Sequence, residues 1–413
     1  MVVGWLFWGG LATASGPPFE PEVSAADRRL LQAAFAVGQT NVVAAAEMLE
    51  TGTRRSAAVA FAAGNFYFQA EEYTSAQRSY EEAIAVLPRF RAAKANLGRI
   101  YLLRDDAAGT IGLYQELVAD GQADADLYVL LGHALQMQGR AVSAETAFRN
   151  ALLLQPDLYE ALTGLTQALF MQERYQEALS LTREVLALQP ENQDVWRLRA
   201  NAFLLLERHA QAIRSLETAR RLGLADADML ALQGDLLLHA SQPVDALDAY
   251  QAAFAGAPAS PERVVRAIDG FLLLDDLDGA QAMLADVDMQ AWSDAERAAL
   301  LRLQGQLHWQ QEHVGRAETL LQEALQLNPL DGRALLLLAT IAEASGQAER
   351  ALLYSERAAR ISGYEVEALV QQAQIEVGRQ RYARAIRLLE DAQTRRAQPH
   401  VARYLEQLRK MQM

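Results

Sequence analysis

Histidines and adjacent carboxylates are the residues of this chain whose types suit metal or proton chemistry. The six histidines are His133, His209, His239, His308, His313 and His400. A metal site on one helix needs two imidazoles three or four residues apart, on one face, and no two of these stand at that spacing or in a His-Glu-x-x-His run. Adjacent acids occur at Glu71-Glu72, Asp105-Asp106 and Asp275-Asp276, but each pair lies between stretches of helical period, where solvated turn charge is expected. The sequence has no Gly-x-x-x-x-Gly-Lys-Ser phosphate loop, no Gly-x-Gly-x-x-Gly and no Gly-x-Ser-x-Gly. It has no cysteine, so disulfides, thiolate metal sites and thiol nucleophiles drop out together. No catalytic residue, cofactor or metal is expected.

The 413 residues are 51% hydrophobic and 22% charged, which is enough apolar surface for a well-packed core. Acidic residues outnumber basic ones 52 to 38, for a formal charge of −14. Such a balance disfavours a phosphate backbone or an anionic lipid surface, and nucleic acid is not an expected ligand.

Residues 1–19 carry no charged side chain, and residues 2–11 (VVGWLFWGGL) are apolar enough for the core of a secretory signal. Ala12, Thr13 and Ala14 supply the small residues that a signal peptidase requires, placing cleavage after Ala14, although the basic leader is missing, the first arginine being Arg28. Glycines and the Pro17-Pro18 pair leave this stretch short of the ~20 residues that a membrane-spanning helix needs. No other segment reads as a span. The expected location is therefore the periplasm or another exported compartment, with the cytoplasm as the alternative.

These scattered residues must be positioned by a repeated element. Gly64, Gly98 and Gly132 are 34 residues apart, as are Tyr67 and Tyr101, and Tyr80 and Tyr114. Units of 34 begin at Ala57, Arg91, Ala125, Tyr159, Gln193, Ala227 and Pro261; after three extra residues, 295–297, the phase resumes at Ala298, Gly332 and Val366. Counting each unit from 1 to 34, most have a large apolar residue at 4, small residues at 8 and 20, and an aromatic or aliphatic at 11 and 24. A small aliphatic, mostly Ala, recurs at 27 and often proline at 32. Residues 125–158 show the pattern with Tyr128, Leu131, Gly132, Leu135, Ala144, Phe148, Ala151 and Pro156. Positions 4, 7, 8 and 11 share one helical face and 20, 24 and 27 another, so each unit reads as two amphipathic helices joined by a turn. Proline at 32 (Pro88, Pro156, Pro190, Pro258, Pro329) ends the second helix. One such hairpin cannot bury its own apolar face, so the units must stack.

This pattern resembles the tetratricopeptide repeat family over residues 57–399. The resemblance implies an all-α, right-handed superhelical solenoid of about ten helix-turn-helix units. The expected division is an apolar N-terminal segment (1–22), a degenerate helical cap (23–56), seven units (57–294), three units (295–399) and a capping helix (400–413). The three extra residues are expected to lengthen a turn or mark a hinge.

In the resembled family the first helix of each unit lines a concave groove through positions 2, 5, 9, 12 and 13. Carried onto this sequence, position 9 supplies a polar ladder that includes Asn65, Arg99, His133, Gln167, Asn201, Asp235, Asp269 and Gln306. Position 2 gives an acidic line, Asp126, Glu160, Asp194, Asp228 and Glu262, which also suits the helix dipole. Position 12 gives an apolar strip, including Phe170, Leu204, Leu238, Leu272 and Trp309, extended at position 13 by Met171, Leu205 and Leu273; packing against the next unit is its competing explanation. Some members grip a partner's C-terminal carboxylate with Lys, Asn, Asn, Lys and Arg. Asn65 and Asn96 match the asparagines, but Phe61, Asp126 and Leu130 stand where the cations should, so that clamp is not expected.

The expected function is a non-catalytic scaffold that holds a partner protein or peptide in its groove. The acidic line favours a basic partner, and bacterial members suggest a larger cell-envelope assembly, secretion or transport complex. A polysaccharide-guiding superhelix and a regulatory subunit of a separate enzyme are the alternatives.

Overall fold

The computed structural model describes residues 20–51, 56–255, 260–285 and 287–412. The expected secretory segment with its cleavage point after Ala14, and Pro258, lie outside the described residues. Among the described residues every regular element is an α-helix. A first pair, α1 (Ala25–Gly38) and α2 (Val42–Glu50), precedes the repeats. Four hairpins follow: α3 (Ala57–Gln69) with α4 (Tyr73–Val86), α5 (Arg91–Leu103) with α6 (Ala107–Ala119), α7 (Ala125–Met137) with α8 (Ala141–Leu154), and α9 (Tyr159–Met171) with α10 (Tyr175–Leu188). The next three are α11 (Gln193–Leu205) with α12 (His209–Arg221), α13 (Ala227–His239) with α14 (Pro243–Phe254), and α15 (Pro261–Leu273) with α16 (Leu277–Ala285). The last three are α17 (Asp294–Gln310) with α18 (Val314–Leu327), α19 (Gly332–Ala344) with α20 (Ala348–Ala358), and α21 (Glu365–Gly378) with α22 (Tyr382–Arg395), before α23 (Pro399–Gln412). The architecture is an all-α helical repeat solenoid. It comprises two compact bodies, Met1–Ala212 and Ile213–Met413.

In units one, two, three and six the two helices are held together by a glycine at 8 and a ring at 24. A Cβ on Gly132 would lie 2.6 Å from the Phe148 ring, on Gly98 2.3 Å from Tyr114, and on Gly234 2.7 Å from Tyr250. Tyr80, Tyr114 and Phe148 are completely buried. Glycine at position 8 therefore lets an aromatic side chain lie flat on the backbone of the first helix, where any side chain would hold the helices apart.

The turn inside every unit uses a left-handed residue at position 15. Gly139 (φ 69°) and Gly346 (φ 73°) adopt it without strain, but Glu71, Asp105, Glu173, Glu207, Ser241, Asp275, Glu312 and Gln380 adopt it with φ between 56° and 64°. This accounts for two of the adjacent acid pairs. Asp105 and Asp275 take the left-handed position, while Asp106 and Asp276 accept hydrogen bonds from the Gly109 and Gly279 backbone N–H groups at 2.9 and 3.1 Å, capping the second helix. Capping occupies the Asp106 and Asp276 carboxylates.

The three extra residues neither lengthen a turn nor form a hinge. Ser293 and Glu296 make a reciprocal capping box that starts α17 at Asp294, so residues 295–297 form an added first turn. The connection before it is braced by the Arg297 guanidinium, which donates to the Met289 and Gln290 carbonyls at 3.2 and 3.1 Å, and by Trp292, buried where other units have proline. At the C-terminal end Val401, Leu405 and Leu408 of α23 cover the apolar side of α21 and α22 around Leu369 and Leu389.

Substituting Gly132→Ala should lower stability by about 1–3 kcal/mol through overpacking against Phe148. The helical Gly112, whose Cβ would meet nothing within 4 Å, should instead gain about 1 kcal/mol as Gly112→Ala. Urea melts of both variants check this; equal effects would show that the ring at 24 does not set the helix spacing.

Candidate functional site

The expected groove residues fall on the first helices, and each body is taken separately. In Met1–Ala212, Asn65 is half-buried and its Oδ1 is engaged twice: the Tyr80 hydroxyl donates to it at 2.8 Å and the Asn96 Nδ2 donates to it at 3.0 Å. A buried phenol needs an acceptor, and position 9 supplies it. Arg99 is exposed, without an ion pair among the described residues, and its charge acts on both Tyr80 and Tyr114. His133 is partly buried, edge-on to Phe148 at 5.2 Å. Gln167, Asn201 and Leu204 are partly buried, and Phe170 packs at 5.2 Å against Tyr175. Asp126 and Glu160 are exposed in the first turns of α7 and α9 and have no ion pair among the described residues, while Asp194 lies 3.9 Å from Arg197.

The same body exposes an apolar row longer than the one expected. Leu103, Met137, Met171 and Leu205, the thirteenth residues of four consecutive units, are 57%, 50%, 47% and 53% exposed. Leu103 and Met137 were legible at the same register, as the residues at position 13 of units two and three.

In Ile213–Met413 the acidic line is already paired. Asp228 meets Arg263 at 2.5 Å, and Asp235 accepts from the Tyr250 hydroxyl at 2.6 Å and lies 3.7 Å from Arg266. Asp269 meets Arg333 at 3.6 Å, although a whole unit separates α15 from α19, so the first-helix face curves inward there. Asp228, Asp235, Tyr250, Arg263 and Arg266 line a cleft of about 180 Å³. Asp235 and Asp269 of the polar ladder are thus offset by arginines, whose pairing reads across units. Two members of the expected apolar strip, Leu238 and Leu272, are buried; Leu238 occupies the space that a Cβ on Gly270 would need, so packing between units claims it. Leu273 remains 76% exposed, and Gln306 and Trp309 are partly buried, Trp309 against the core around Leu335.

Among the described residues no group of three or more His, Asp or Glu side chains could hold a metal ion, and no helix is long and apolar enough to cross a membrane. The most enclosed carboxylate, Glu376, is completely buried and ion-paired to Arg384 at 3.2 Å.

Burial pushes the His133 imidazole below its ordinary value, against the opposing influence of Gln136 and the Glu160 carboxylate. His133 is therefore neutral at pH 7. The unfolded chain, with its ordinary value near about 6.5, binds more protons below that pH, so stability falls as pH drops through it. His133→Gln should remove part of the decline between about pH 7 and 5. Urea melts across that range check this, and an unchanged slope contradicts it.

A family model described as tetratricopeptide repeat matches residues 61–126, 129–193 and 302–365, and a second model of the same description matches residues 169–236. No curated protein matches the sequence. Among solved structures, the chain is similar to YrrB, described as a repeat protein with an unusual peptide-binding site, with 19% identity over 45% of this chain and 92% of that one (TM-score 0.39). It is similar to pilF of Pseudomonas aeruginosa, with 23% identity over 47% of this chain and 88% of that one (TM-score 0.40). A tetratricopeptide repeat protein of Parabacteroides merdae shares 17% identity over 69% of this chain and 98% of that one (TM-score 0.36).

Proposed function

The chain belongs to the tetratricopeptide repeat family, a family of protein–protein interaction scaffolds, and from that premise we propose that it holds an extended or helical segment of a partner protein against its first helices. The observation that carries this reading is the row of Leu103, Met137, Met171 and Leu205, about half exposed in four consecutive units. An exposed apolar row repeated at one register accepts apolar side chains from a segment laid across the units. Asp126 and Glu160, free of ion pairs among the described residues, lie at the opposite ends of two of the same helices, about 16 Å from the row, and supply the charge for a basic residue there. Asp228, Asp235 and Asp269 contribute less, because Arg263, Arg266 and Arg333 offset them.

The compartment we propose is the periplasm or another exported space, with the partner in a cell-envelope assembly, secretion or transport complex. The apolar stretch 2–11 followed by Ala12-Thr13-Ala14 supports it.

In-cell cross-linking with mass spectrometry, on the native chain and on the double variant Met171→Glu/Leu205→Glu, tests both parts. The expected result is a small set of envelope proteins captured by the native chain and lost in the variant, with a mature N-terminus at Ser15. Identical partners for both chains would remove the apolar row from the binding site. Purely cytosolic partners with an intact N-terminus would overturn the compartment.

A further inference from the structure

Position 7 of the first helix is a core position: Leu97, Leu131, Leu165 and Leu338 are all buried there. In the fifth unit it holds Arg199. The guanidinium lies between two rings of its own helix, its carbon 5.6 Å from the Trp196 ring centroid and 5.7 Å from that of Phe203. Its Nε is buried without a hydrogen-bond partner, and Arg199 has no ion pair among the described residues.

The next junction shows a polar pair at this register satisfied within the chain. There position 25 of one unit and position 7 of the following one are Glu217 and Gln233, and the buried Gln233 Nε2 donates to Glu217 Oε2 at 2.9 Å. The same two positions one junction earlier are Arg183 and Arg199. Two cations occupy a pair of sites that at the next junction hold a donor and its carboxylate. Burial, reinforced by the neighbouring Arg183 charge, pulls Arg199 below its ordinary value, the signature of a cation held without its counter-charge.

We propose that Arg199 and Arg183 form a binding site for a carboxylate carried by an acidic side chain of a protein partner. The aromatic rings of Trp196 and Phe203 lie near the guanidinium and its Nε is buried, so a planar anion that accepts in the plane of the fork would meet the edge formed by the two terminal nitrogens. A carboxylate matches that edge and supplies the acceptor that the chain itself withholds. Arg183, more exposed, provides the second charge and steers the group in. This site is separate from the exposed apolar row and does not rest on the groove reading.

The test is a titration of the full chain with N-acetylglutamate at constant ionic strength, followed by the Arg199 Nε–Hε NMR signal, with N-acetylglutamine and inorganic phosphate as parallel probes. The signal is identified by its loss in Arg199→Leu. The expected result is a saturable shift with N-acetylglutamate, none with N-acetylglutamine, saturation by phosphate only at higher concentration, and affinity about tenfold weaker in Arg183→Gln. Arg199→Leu restores the side chain found at this register in four other units, so it should melt at or above the temperature of the native chain; lower melting would mean that the guanidinium is a structural part of the junction and would overturn the proposal. No saturable shift, or equal response to the amide, would also overturn it. Tighter binding of phosphate would overturn the assignment to a carboxylate.

Discussion

The close packing of positions 8 and 24 inside the hairpins, which in four units lays a ring on a bare glycine backbone, is the constraint on which the rest of the structure depends. At Gly64, Gly98, Gly132 and Gly234 the ring at 24 fills the space that a Cβ would need, and at Gly305 Leu321 does so. The 34-residue phase puts equivalent residues of successive first helices at equivalent places, and the thirteenth residues of units two to five are all about half exposed. Eight non-glycine residues held at positive φ in the internal turns show that the hairpin geometry prevails over local backbone preference.

The same ring decides much of the polarity beside it. A buried tyrosine brings a hydroxyl that must be satisfied, and Asn65 and Asp235 accept from Tyr80 and Tyr250. Where the ring is Phe148 there is no hydroxyl, and His133 meets it edge-on instead. Part of the polar ladder on the first helices is therefore required by the core, and the residues open to a partner are those that the core leaves over: Asp126, Glu160, Arg99 and the apolar row. The arginines at Arg263, Arg266 and Arg333 make a similar selection in the second body by engaging the acids there.

The helical phase was legible in the sequence because it rests on local rules: apolar spacing, small residues at 8 and 20, and proline after the second helix. First helices begin at Ala57, Arg91, Ala125, Tyr159, Gln193, Ala227, Pro261 and Gly332, the starts that the 34-residue phase gives. It misread the eighth unit, where the Ser293–Glu296 capping box begins the helix a turn early, since an inserted turn of helix and a longer loop have the same length in sequence. Contacts between units were not legible. Asp269 and Arg333 are 64 positions apart, and their meeting depends on how the intervening unit is stacked. The burial of Leu238 and Leu272, against the exposure of Leu273, likewise depends on how closely the next first helix approaches.

The central claim is that the first-helix row, rather than the exposed apolar residues of the second helices, receives the partner. It is tested most directly by placing a photo-activated cross-linking residue singly at Met171 and Leu205 on the first helices, and at Leu153 and Leu188, which are 80% and 50% exposed on the second. The account expects one partner protein attached through Met171 and Leu205 and none through Leu153 or Leu188. Attachment of that partner through the second-helix positions alone would contradict it.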